Sequence, residues 1–138
     1  MKTLKQIKKE YPTLTSNGWA YWAFDRIDDG EIASGDISKH PEEFKAICDF
    51  LNKNIGHTKT VNTKGNSSYG LKHIVEDMIH HYISNGMFMA AALACGYKMK
   101  YKSDDGPNAY FAMSQKDWKK FWNIRGQSGP RLDREKQI

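Results

Sequence analysis

From Leu71 to Tyr82, apolar side chains return at every third or fourth position. Leu71, Ile74, Val75, Met78, Ile79 and Tyr82 form one stripe, a spacing that predicts a helix with one face in a core. Phe44, Ile47, Cys48 and Leu51 fall at i, i+3, i+4 and i+7 and predict a second helix. Pro41 suits its first position, and Glu42 and Glu43 suit the positive end of its dipole; it ends between Asn54 and Gly56. Residues 3–11 predict a short amphipathic helix, with Leu4, Ile7 and Tyr11 on one side and lysines on the other, stopped by Pro12. The segment Met87–Cys95 differs from all of these. It is apolar all round, which predicts a helix inside the fold. A turn at Ser84-Asn85-Gly86 leads into it, and Gly96 closes it.

The period then changes from 3.6 to 2. Tyr97, Met99 and Tyr101 alternate with Lys98, Lys100 and Lys102, which predicts a strand. A turn at 103–107 and a returning strand over 108–113 make it a hairpin. Ser114 with Asp117 three residues on resembles a capping box and starts a last short helix, with Trp118, Phe121 and Trp122 facing inward. Near the N-terminus, Asp29-Gly30 between two apolar runs predicts another hairpin, with a helix over 19–27 as the competing reading. Residues 57–68 read as a loop with one short edge strand. Together these patterns predict an α+β fold: a single small domain over residues 1–124, with four to five helices and one or two β-hairpins. Its second half has a helix–turn–helix–hairpin arrangement. Residues 125–138 lack periodicity and read as a basic, mobile tail.

Length agrees, because 138 residues suit one domain. Charge adds an asymmetry to the net +5. Residues 1–10 carry four lysines against Glu10, and residues 116–138 carry seven Lys or Arg against three acids. Asp25, Asp28, Asp29, Glu31 and Asp36 stand against Arg26 alone, forming an acidic group. Cys48 and Cys95 have no CxxC spacing and sit on apolar faces, which fits core packing in a reducing compartment. No run approaches the ~20 apolar residues of a membrane span, and the N-terminus has no apolar stretch of signal-peptide length. The expected setting is the cytoplasm of a bacterial host, with no membrane partner.

Four groups of residues carry candidate chemistry. Helix–turn–helix–hairpin is the order of a winged helix-turn-helix, whose second helix must offer donors and acceptors to base edges. Here that helix is MFMAAALAC, which offers none, so core packing is its expected role. The hairpin is the better wing: Lys98, Lys100 and Lys102 suit phosphates, although lysines also guard edge strands. With Lys119, Lys120, Arg125, Arg131 and Arg134 they make up the candidate basic surface. In DWKKFWNIR the aromatic residues alternate with cations as in single-strand binders, but their i, i+3, i+4, i+7 spacing describes a core stripe first. Lys64, Ser67 and Ser68 precede a helix start, where free N–H groups attract anions, but the order is not that of a P-loop. His73, Glu76 and His80 share the polar side of the 71–82 helix with Asp77 and His81. Imidazole and carboxylate on adjacent turns can ligate zinc, but the spacing is not HExxH, and a solvated face of side-chain pairs is the simpler reading. No Ser/His/Asp or Cys/His arrangement is visible. The expectation is a protein that binds rather than catalyses, with no cofactor.

The block SSYGLKHIVED…YISNGMFMAAALACGY…GPNAYFAMS, residues 67–114, resembles a block in short proteins of phages, plasmids and other mobile elements. Some small proteins of that setting are anti-CRISPR inhibitors. The resemblance implies an inhibitor of a nucleic-acid-handling defence complex, a protein or ribonucleoprotein partner, and no enzyme activity. The alternatives are a direct DNA- or RNA-binding regulator and a metal-dependent enzyme centred on His73, Glu76 and His80.

Overall fold

A computed structural model describes residues 1–16, 18–19, 37–101 and 106–127, the side chains of 123–127 excepted. The expected hairpin around Asp29-Gly30 lies outside these residues, as does the segment from 128 to the C-terminus. The described residues form an α+β fold of five α-helices and two small antiparallel hairpins. α1 spans Leu4–Glu10, and α2 spans Pro41–Asn54 after a 3-10 turn at Ile37–Lys39. α3 spans Ser68–Ile79, α4 Asn85–Ala94 and α5 Gln115–Gln127. β1 (Leu14–Thr15) pairs with β2 (Gly18–Trp19), and β3 (Met99–Lys100) with β4 (Tyr110–Phe111).

Local chemistry starts each helix where the sequence permits. In α1, Thr3 Oγ1 accepts from Gln6 N at 3.1 Å while Gln6 Oε1 accepts from Thr3 N at 2.8 Å, a reciprocal cap. Leu4 and Ile7 of α1 are buried, as are Phe44, Ile47, Cys48 and Leu51 of α2. Ser84 Oγ accepts from Met87 N at 3.1 Å and starts α4. Asn85 and Gly86 are therefore the first residues of that helix rather than part of a free turn. From Asn85 to Ala92, every residue of α4 is buried. It packs against α1, α2, α3 and the β1–β2 hairpin.

Three elements depart from their expected lengths. α3 stops at Ile79 because His80 adopts a left-handed conformation at φ 56°, and His81 N donates back to Glu76 O at 3.2 Å. Tyr82 leaves the apolar stripe and is 69% exposed. The β3–β4 ladder is only two pairs long, because the return segment bonds three neighbours in turn. Ala109 O accepts from Ser68 N, Ala112 N donates to Lys98 O, and Ala112 O accepts from Thr58 N. The bridge His57–Met113 is the short strand pairing expected within 57–68. α5 runs through Arg125 to Gln127, past the expected start of the tail. Trp118 is fully buried between Phe50 (6.3 Å) and Phe88 (6.2 Å), and Phe121 rests on Phe50 at 5.1 Å. Trp122, expected to face inward, is exposed, because only one edge of α5 is covered.

The hairpin meets α4 backbone to backbone. Gly86 N donates to Ser16 O at 2.9 Å, and a Cβ on Gly86 would lie 1.5 Å from Thr15 O. Gly18, at φ +115°, brings β2 equally close to Pro107 O. Gly86→Ala is expected to cost at least about 3 kcal/mol, because backbone must move to admit the methyl group. Urea unfolding of the two chains side by side measures this, and an unchanged midpoint contradicts the packing.

Candidate functional site

A cleft of about 710 Å3 opens between α3, the start of α4, the β1–β2 turn and the segment before β4. α3 supplies Tyr69, Lys72, His73 and Glu76, one helical turn apart, so that they share one side. The early end of α3 turns Tyr82 to the opposite wall. Asn85 enters at the foot of α4, and its Nδ2 donates to Asn108 Oδ1 at 2.9 Å, tying α4 to the β4 approach. Ser16 and Pro107 complete the rim.

The floor of the cleft is a recessed ion pair. Lys72 is 4% exposed, and its Nζ lies 2.6 Å from Glu76 Oε1. The same ammonium stands 4.7 Å from the ring centre of Tyr82 and 5.2 Å from that of Tyr69, where each ring face attracts a cation. Glu76 Oε2 lies 3.1 Å from His73 Nδ1, and Oε1 also accepts from Ile83 N at 3.4 Å. Tyr69 meets the His73 ring edge-on at 4.7 Å. A buried charge is tolerated only when paired and hydrogen-bonded, and Glu76 provides both for Lys72. Chemically, the cleft offers two aromatic walls and a cationic floor. It suits a planar or anionic group from a partner.

The expected site residues are distributed as follows. His73 and Glu76 bond to each other in the cleft, and His80 lies exposed at the end of α3. Among the described residues no three His, Cys, Asp or Glu side chains gather at one metal-sized point, so His73, Glu76 and His80 do not form a centre. The face expected to be solvated is half-buried at Glu76 and buried at Lys72. Ser68 is no part of an anion loop: its hydroxyl is buried and accepts from Ala109 N at 3.1 Å. Ser67 caps α3 without a side-chain bond, and Lys64 is exposed. Lys98 and Lys100 project from β3 into solvent, and Lys119 and Lys120 from α5. Arg125 lies on α5. Lys102, Arg131, Arg134 and the side chain of Arg125 lie outside the described residues, as do Asp25, Asp28, Asp29, Glu31 and Asp36.

Lys72, Tyr69 and Tyr82 were not singled out by sequence reasoning as a site. A signal was present, since Tyr69, Lys72 and Glu76 stand at i, i+3 and i+7 of one helix. Among the described residues no helix is long and apolar enough to cross a membrane. Comparison with family models, curated proteins and solved structures gives no match.

The ion pair has a testable energetic signature. Lys72→Met leaves Glu76 without its cation and is expected to destabilise the fold by about 3 kcal/mol, whereas Lys72→Met with Glu76→Leu recovers most of that loss. Equilibrium urea unfolding of the single and double variants decides it. Equal losses in both contradict the role given to the pair.

Proposed function

We propose that this chain is a non-enzymatic binding and inhibitor protein of a mobile element. Its partner is a protein or ribonucleoprotein complex that handles nucleic acid, such as a CRISPR effector, and the Tyr69–Lys72–Tyr82 cleft is its seat. One observation carries the reading. Tyr69 and Tyr82 stand 52% and 69% exposed on either side of a recessed cation. Tyrosine beside a desolvated charge is the chemistry of binding hot spots. Burial of α4 supports the same reading, because the helix that a winged helix-turn-helix would place on DNA is enclosed by its own fold. The resemblance of residues 67–114 to mobile-element proteins covers the same α3–α4 unit.

A second reading has its own support. Lys98 and Lys100 stand in solvent on β3, as a row that meets phosphates would. Direct nucleic-acid binding through this row weakens steeply with salt, and Lys98→Ala with Lys100→Ala lowers the slope of that dependence by about 2.

Recovery from a bacterial host lysate, with and without nuclease, tests the leading reading. The expected result is nuclease-resistant recovery of a defined nucleic-acid-handling complex, lost in a Tyr69→Ala/Tyr82→Ala chain that unfolds at the same urea concentration as the parent. Recovery that nuclease abolishes, or that survives the double substitution, contradicts it.

A further inference from the structure

Two thiols from different helices meet a thioether on the side of α4 that faces α2. Cys48 lies within α2, and Cys95 follows the last residue of α4. Cys95 Sγ is 3.7 Å from Met1 Sδ and 3.9 Å from the Cys48 carbonyl oxygen. Cys48 Sγ is 3.9 Å from the carbonyl oxygen of Ala91, one turn before Cys95 on α4. The two thiols are in hydrogen-bond contact with each other. Met1 Sδ also receives Asn52 Nδ2 at 3.6 Å. Cys48 is fully buried, Cys95 half-buried and Met1 76% exposed, so the three sulfurs form a file from core to surface.

Their spacing distinguishes between uses. A disulfide brings its sulfurs to about 2.05 Å. A d10 ion that bonds sulfur at about 2.3 Å holds neighbouring sulfurs about 3.8–4.0 Å apart in tetrahedral or trigonal coordination. The 3.7 Å between Cys95 and Met1 matches the second arrangement. Zinc takes four ligands, usually thiolate, imidazole or carboxylate. Two thiolates and a thioether are soft donors, the set that selects copper(I).

We propose that Met1, Cys48 and Cys95 form a binding site for a soft monovalent metal ion, copper(I). Binding breaks two S–H bonds and forms two S–Cu bonds. Two protons leave to solvent, Met1 contributes a sulfur lone pair, and no electron is transferred. The environment prepares one of the two deprotonations. The hydrogen bond with Cys48 holds the Cys95 thiol below its ordinary range, and the N-terminal amine and Asn52 add to this, against burial and Asp49. The same hydrogen bond, with burial, pushes the Cys48 thiol up. Cys95 is therefore the first thiolate to meet the ion, and Met1 is the arm through which it enters.

Anaerobic titration of the reduced, full-length chain with copper(I) held by bicinchoninate tests the site. The expected result is uptake of one copper per chain, with intact mass rising by one copper and a near-ultraviolet sulfur-to-copper absorption. Cys95→Ser and Cys48→Ala abolish uptake while far-ultraviolet circular dichroism stays that of the parent. Met1→Leu, released from a cleavable leader, weakens binding by about tenfold or more. Should Cys48→Ala fail to fold, Cys95→Ser and Met1→Leu alone decide, since both sites are less buried. No uptake by the parent chain, uptake unchanged in Cys95→Ser or Met1→Leu, or a mass loss of two hydrogens in place of a copper gain overturns the proposal.

Discussion

The burial of α4 is the constraint on which the remaining elements depend. A helix with Met87, Phe88 and Met89 in one turn, and four alanines after them, has no polar side to give to water. Each of the three large side chains gains about 1.5–3 kcal/mol when removed from water, so the chain has to surround the helix completely. The alanines keep its surface low enough for α2 to approach closely. At its start, Gly86 lets the Ser16 carbonyl touch the backbone directly. Even its exit is fixed, because Tyr97 buries its ring and donates its hydroxyl to the Leu51 and Ile55 carbonyls at the end of α2.

Enclosing one helix decides what the others expose. α3 covers α4 with Leu71, Ile74 and Val75, and its opposite side then carries Tyr69, Lys72, His73 and Glu76. His80 breaks α3 one turn before the stripe ends, and that break moves Tyr82 from the core to the cleft wall. Asn85 joins the foot of α4 to Asn108 and closes the cleft from below. The cleft is thus a product of how α4 is wrapped. Asp117 shows the same economy at the other end of the fold. It accepts from Gly56 N at 2.8 Å, which holds its carboxyl below the usual range and fastens α5 to the loop after α2.

Periodicity made the helices legible, because burial on one side writes itself into the spacing of Phe44, Ile47, Cys48 and Leu51. The all-apolar run of α4 was legible for the complementary reason. What periodicity missed depends on contacts distant in sequence. Nothing local distinguishes Ser68 as an anion ligand from Ser68 bonded to Ala109, forty-one residues away. Trp118 and Trp122 share one stripe, but only Trp118 meets Phe50 and Phe88. The left-handed turn at His80 has no glycine to announce it, so α3 read one turn too long and Tyr82 read as core. The cleft followed that error: its lysine looked like one more solvated cation until tertiary structure placed two rings and a carboxylate around it.

Amide hydrogen exchange under native conditions tests the enclosure of α4 most directly. The account predicts that the amides from Phe88 to Ala94 are the slowest in the chain and exchange only through global unfolding, with a free energy equal to that from urea denaturation. Exchange of those amides by local opening, at rates like those of the exposed lysine-bearing turns of α5, would contradict it.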